Sequence, residues 1–589
     1  MAKRKPKACP EARRPVGVAS GQRAKKRAGS TLLSHGVGAI PLLTRILDRM
    51  QLESLFQQHV PDSDRRTKPA TAKVLKLLVC NLLVSREPLY GVAEWACNYA
   101  PDVLGFKPEE LEHLNDDRVG RSLDRLFAAL DSELVMAVVR QVVQEFDVSL
   151  NELHNDSTSI AFFGAYPDAQ QEGQMHQRPT PAITWGHSKD HRPDLKQLLY
   201  TLTVTDDGGV PIYFQTQSGN TTDDTTHQAT WKILHELVDR PDFLYVADCK
   251  LATTENMNAI ARQGGRFISI LPATRQECTL FRRRMREQPQ TVSWRELYQL
   301  RDEQPEVLDT LSVCTDDLLS AEGYRLHWIF STRKQENDAA ARLSLTDRAM
   351  RRLAELRQRL IAPRTRFRQR DKVDQAVQDI LTEYGVADWL VVEVQESEQE
   401  SFQQEHPGRP NEDTKYKRTV RTHYTCSWQI DATALADAAK ADGVFPLITN
   451  VKDWDARQVL EAYKRQPIIE KRFSQLKTDF CVAPVYLKNV GRIAGLLGVY
   501  FFALIVQTLL ERELRRAMRA QRIATLPLYP EGRPCSRPTT RQTLDVFENI
   551  QRHTIQRQGE EDEMIVTDLS ALQRQLLELL NDSPKNYGW

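Results

Sequence analysis

Apolar residues recur at helical spacing from 31 to about 150, in IPLLTRILDRM (40–50), TAKVLKLLVCNLLV (71–84) and VGRSLDRLFAALDSELVMAVVRQVVQEF (119–146). This period predicts an all-α N-terminal domain. From 151 the pattern changes. ELHNDSTSIAFF reads as a strand, and KQLLYTLTVT and VPIYFQTQ flank the turn DDGG as a hairpin. A helix over about 224–239 follows, then the short buried strand FLYVADCK, the helix ATTENMNAIARQG and the strand RFISILP. Strands alternating with helices in this way predict a mixed α/β core over 151–272.

The alternation stops near 273. A mixed region runs to about 440, with strand-like pieces YRLHWIFST, WLVVEV and TVRTHYTCSWQI, and a polar stretch, QESEQESFQQEHPGRPNEDTKYKR, that reads as loop. It is expected to be an insertion domain, 273–440. The α/β pattern resumes over 441–524 with VFPLITN, the helical DARQVLEAYKRQPIIEKRFSQLKTDF and a long apolar helix; 525–589 reads as a C-terminal tail. At 589 residues the chain is long enough for several domains, so the expected class is an α+β multidomain protein.

Charge changes this picture. Lys and Arg number 80 against 79 Asp and Glu, a net +1 that argues against a polyanionic partner only if the charge is evenly spread. It is not. Residues 1–30 hold ten basic residues against Glu11, and residues 348–372 hold ten against Glu355 and Asp371, so the remainder is acidic. Such tracts suit either a solvated face or a polyanion. The nine cysteines form no CxxC pair, which argues against a disulfide framework or a structural zinc site. The first thirty residues contain no apolar run of signal-peptide type, and the chain reads as cytoplasmic. AGLLGVYFFALIVQTLL (494–510) approaches the length of a membrane span, but Gln507 interrupts it and a charged helical stretch follows, so a buried core helix is expected.

Three carboxylates stand out by position rather than by spacing. Asp156 interrupts the first core strand, Asp248 ends the strand FLYVAD at the edge where α/β sheets place ligands, and Glu470 lies in a helix beside Ile468, Ile469 and Phe473. Acidic groups near buried elements are costly unless paired or bound to a cation, and oxygen-only ligands suit Mg²⁺. Each has a plainer reading: Asp156 as a turn residue, Asp248 as a helix cap, Glu470 as a solvated helix residue beside Lys471 and Arg472. WGHSKDHRPD, with His187 and His191 four apart and Asp190 and Asp194 nearby, is superficially metal-like but lacks a third soft ligand. NDDR (115–118) reads as a helix cap or as a partner of Arg118 or Arg121.

The strings LVSREPLYGVAEW, HLNDDRVGRSLDRLF, HNDSTSIAFFG, ITWGHSKDHRPDLKQLLYTLTVTDDGGVPIYFQTQSGNTTD, YVADCKLAT, FPLITN and LYPEGRPCSRPTT together resemble bacterial DDE transposases of the insertion-sequence-four superfamily, near its sixteen-thirty-four branch. The resemblance covers about 31–545. It implies an RNase H-like core interrupted by an insertion domain, with catalytic and metal-binding residues Asp156, Asp248 and Glu470. The superfamily signature around the Glu is Tyr, two residues, Arg, three residues, Glu, six residues, Lys. Tyr463, Glu470 and Lys477 fall in register, but Gln466 stands where the Arg is usual, with Arg465 one place earlier. Seven-residue spacing would put 463, 470 and 477 on one face of a continuous helix, although Pro467 can break it.

The resemblance further implies two Mg²⁺ or Mn²⁺ ions per site, cleavage and strand transfer of double-stranded DNA at terminal inverted repeats, and DNA contacts by Tyr463, Arg465 and Lys477. A homodimer on paired ends, no membrane, and a bacterial, nucleoid-associated location are the accompanying expectations. Two alternatives remain open at this stage: a transposase-derived DNA-binding protein that does not cut, and a nuclease of the same fold that cuts without joining.

Overall fold

The structure, a computed structural model, describes residues 30–588 except 63, 65, 66, 131, 302–305, 363, 481, 483, 484, 486, 558 and 559. The basic tract expected over 1–30 lies outside the described residues apart from Ser30. The chain forms two compact units, Met1–Ser269 together with Glu461–Trp589, and Ile270–Leu460.

The first unit is built on a mixed sheet of strands β1 (Glu152–Phe162), β2 (Lys196–Thr205), β3 (Pro211–Ser218), β4 (Leu244–Ala247) and β5 (Arg266–Ile270), in the order β3-β2-β1-β4-β5. β1, β2 and β3 pair antiparallel, while β1, β4 and β5 run parallel. β2 is buried at every position, which explains its unbroken apolar and Thr-rich run. The β2–β3 turn places Gly208 and Gly209 at φ +84° and +65°, a backbone that glycine adopts without a Cβ penalty.

Helices of the first 150 residues pack in this same unit around the long helix Val490–Ala520. In the most apolar 18-residue stretch of that helix 94% of positions are buried, so its apolarity goes into a protein core. Phe501 stacks on Phe214 of β3 with centroids 4.5 Å apart, and Phe502 meets Phe56 edge-on at 5.1 Å. At Gly495 a Cβ would lie 2.5 Å from the Leu123 carbonyl, so glycine lets helix Asp116–Ala129 approach closely. Asn115 caps that helix by accepting from Arg118 N at 2.9 Å, and Asp117 pairs with Arg121.

Two expectations need correction. Residues 30–36 belong to no helix: Ser30–Gly36 is a strand paired antiparallel with Gln551–Arg557, which in turn pairs with Glu563–Val566. Its partner is more than 500 residues away, beyond the reach of any local period. The polar stretch read as loop is mostly strand, because Leu390–Gln404 and Tyr416–Ile430 form a two-stranded ribbon with fifteen paired positions. Beyond its base, where Leu390, Tyr424 and Cys426 are buried, the ribbon is solvated on both faces and needs no apolar alternation; Glu400 pairs with Arg418 across it.

Elsewhere in the second unit, Val444–Thr449, Arg325–Ser331, Val307–Cys314 and Trp294–Arg301 pair antiparallel in that order. Helix Thr332–Leu360 buries Ala349, Leu353, Leu356 and Leu360 against Val373, Val377, Ile380 and Leu381 of helix Arg370–Tyr384. The ten basic residues of 348–372 are all exposed.

Candidate active site

The parallel register of β1 and β4 brings two carboxylates together. The last paired residues are Asn155 and Ala247, so Asp156 and Asp248 each stand one step further, at neighbouring positions beyond the pairing. Both line a small hollow with Asn155, Ser157, Thr201, Thr226 and His227. Burial raises the Asp156 carboxyl above its ordinary value, Lys189 opposes this, and the charge of Asp248 adds to it. Asp156 Oδ1 accepts from Ser157 N at 2.7 Å and from Lys189 Nζ at 3.3 Å.

Asp248 does not cap the following helix. Thr253 does, accepting from Asn256 N at 3.2 Å, while Asp248 Oδ1 accepts from Lys250 N at 3.0 Å within the turn after β4. The Asp248 carbonyl accepts from Ser269 Oγ at 2.7 Å, which ties the end of β4 to β5.

The helix expected through 463–477 is broken. Helix Ala456–Tyr463 ends, Pro467 starts the helix Pro467–Ser474 at its first position, and Gln475–Asp479 is a π turn. Proline's fixed φ and missing N–H suit a helix start and oppose a helix interior. Tyr463, Glu470 and Lys477 therefore do not share one helical face. The Tyr463 phenol is held protonated, first by burial and then by the charges of Asp248, Cys249, Asp156 and Glu470. Glu470 is exposed in the first turn of its helix. Lys477 Nζ lies 2.6 Å from Asp190 Oδ1.

Arg465 and Gln466 serve β1. Arg465 donates from Nε and Nη2 to Glu152 at 2.6 and 2.5 Å. Glu152 also bonds His154 Nε2 at 2.8 Å, and His154 Nδ1 bonds Gln466 Oε1 at 3.0 Å. Burial pushes the Glu152 carboxyl up, but Arg465 and His154 outweigh it and hold the group below its ordinary value. Gln466 thus fills the usual Arg position with a side chain that fastens the Glu-bearing segment to the Asp156 strand.

Asp156 and Asp248 offer the oxygen-only ligands that a hard divalent cation prefers. Among the described residues, no group of three or more His, Cys, Asp or Glu is gathered to hold one metal ion, so Glu470 stands outside the pair. Sequence reasoning missed Lys189. It sits in a loop of mixed polar residues, where neither period nor spacing singles it out.

The family pattern "Transposase DDE domain" matches residues 155–303, and a domain of unknown function, DUF4277, matches residues 33–140. The chain therefore carries a DDE transposase domain. Its matched span contains Asp156 and Asp248 and ends before Glu470. No curated protein matches. Among solved structures the chain is similar to the "Cryo-EM structure of piggyBac transposase synaptic complex with hairpin DNA", at 10% identity and a TM-score of 0.26, over 52% of this chain and 63% of that one. A likeness that weak carries no argument about fold or function.

Proposed function

We propose that this chain is a DDE transposase that cleaves double-stranded DNA at the terminal inverted repeats of an insertion sequence and joins the freed end to target DNA. The observation that carries this reading is the pair Asp156 and Asp248, at neighbouring positions just past the parallel pairing of β1 with β4, inside the matched domain. The core is read as RNase H-like, with residues 31–150 as the DNA-binding region and 273–440 as the insertion. The branch is that of the sixteen-thirty-four-like bacterial elements, and the protein acts as a homodimer in the cytoplasm, at the nucleoid and away from membranes.

Asp156 and Asp248 would hold Mg²⁺ or Mn²⁺, two ions per site once Glu470 is drawn in. Bound there, the metal supplies an activated oxygen nucleophile and stabilises the departing oxyanion of an in-line displacement. The chain's own residues do the rest. Asp156 and Asp248, carried on adjacent strands inside the sheet, would hold the cation in a fixed place. Tyr463, kept protonated, is a hydrogen-bond donor beside the acids. Lys477 contacts a DNA phosphate, which positions the duplex without reading its sequence, whereas Arg465, expected to do the same, is held by Glu152.

Incubation of the full chain with its terminal repeats and Mg²⁺ tests this. Cleavage and joining that Asp156→Ala and Glu470→Ala each abolish are the expected result. Shifted but uncut DNA identifies a binding protein instead, and cut ends that never join identify a nuclease.

A further inference from the structure

The loop after Thr184 carries a cation into the carboxylate site. Gly186 fixes the loop's entry, since a Cβ there would lie 1.8 Å from the Gly219 carbonyl oxygen. Lys189 N donates to Ser159 Oγ at 3.1 Å, which pins the residue against β1. Lys189 Nζ then donates to the Ser157 carbonyl and to Ser157 Oγ, both at 2.7 Å, and reaches Asp156 Oδ1 at 3.3 Å. The bond to Asp156 is the longest of the three. The next residue, Asp190, holds Lys477, so two adjacent loop residues each occupy a group assigned above to metal or DNA.

We propose that Lys189 is the built-in counter-cation of the Asp156–Asp248 site: a divalent ion entering at Asp156 displaces its ammonium, which then pairs with a backbone phosphate of bound DNA. This rests on the function proposed above. An ammonium and a divalent cation on the same carboxylate repel each other, and the weakest of the Lys189 bonds gives way. The two bonds to Ser157 keep the displaced ammonium at the rim. There, DNA phosphate is the anion that the reaction itself delivers. Lys189 thus covers the carboxylates while the site is idle and positions substrate once it is loaded.

The test separates these two roles. Mn²⁺ is titrated into the full chain without DNA and followed by water-proton relaxation, for the parent, Lys189→Gln, Lys189→Arg and Asp156→Asn. Lys189→Gln is expected to bind Mn²⁺ at least about threefold more tightly, because a competing charge is gone; Lys189→Arg is expected to bind like the parent. DNA binding is then measured against salt. With Ca²⁺ at a fixed concentration, Lys189→Gln should flatten the dependence of log K on log salt by about 0.9, the value of one phosphate contact. Without a divalent ion it should change nothing.

Equal or weaker Mn²⁺ binding by Lys189→Gln overturns the counter-cation, and an unchanged slope in Ca²⁺ overturns the phosphate contact. A parent that binds Mn²⁺ no better than Asp156→Asn removes the metal site itself, and the reading beneath this inference fails with it. Lys189→Met, which keeps the aliphatic stem, replaces the Gln variant if that chain does not fold.

Discussion

Two groups of charges in the first unit are handled in opposite ways. Glu511, on the long helix, is fully buried, and its carboxylate is met by Arg472, Lys471, Arg515 and Gln475. Arg472 is equally buried and also donates to the carbonyls of Gly208 and Gly209, which locks the Glu470 helix to the β2–β3 turn. Asp156 and Asp248 stand side by side, and burial together with the charge of Asp248 makes the Asp156 charge harder to hold. The first group is satisfied within the fold and keeps elements in place. The second sets two carboxylates beside each other with Lys189 on Asp156, an arrangement in which an arriving cation can compete for the acids.

Breaking the satisfied group should have the largest effect. Arg472→Met leaves Glu511 buried without its main partner and is expected to cost about 3–5 kcal/mol of stability, read by urea unfolding. Burial raises the Glu511 carboxyl, but Arg472, Lys471 and Arg515 outweigh this and hold it below its ordinary value of 4.5. Its contribution is therefore complete above pH 4.5 and disappears as pH falls through the lowered value. Unfolding midpoints measured downward from pH 6 should drop in the parent and stay flatter in Glu511→Gln.

Gly186→Ala, which forces the loop away from Gly219, is expected to cost about 1–3 kcal/mol in a thermal scan and to loosen Lys189 from Asp156. Asp156→Asn should change stability by less than about 1 kcal/mol, since it removes like-charge repulsion and keeps an acceptor for Ser157 N; DNA cleavage should nevertheless be lost. A large destabilisation by this variant would mean that the two charge groups do not differ as described. Glu400→Ala, on the exposed ribbon, sets the lower bound at about 0.2–1 kcal/mol.

The residue pattern made some of this plain and concealed the rest for physical reasons. The β2–β3 hairpin followed from DDGG between apolar runs, and Asp156 and Asp248 stood out because each breaks or ends such a run. The break at Pro467 was foreseeable from the ring's geometry, but not what it accomplishes, which is to turn Arg465 and Gln466 toward Glu152 and His154. Those pairings cross 313 and 312 residues of chain, and the Lys477 link to Asp190 crosses 287. The ribbon at 390–430 was misread because its strands lack a core face over most of their length. The strand at Ser30–Gly36 was missed because its partner lies at the other end of the chain.

The insertion of Ile270–Leu460 into the first unit also sets a timetable. The five strands are all synthesised by residue 270, but the helix that covers β3, Val490–Ala520, leaves the ribosome only after the whole second unit has been made. At usual synthesis rates this leaves Phe214 and its neighbours waiting roughly 15–60 s for Phe501. During that interval a nascent chain exposes an apolar sheet face that the finished protein never shows. Its yield in the cell is then governed by how fast those residues are translated, and by what shields the sheet meanwhile.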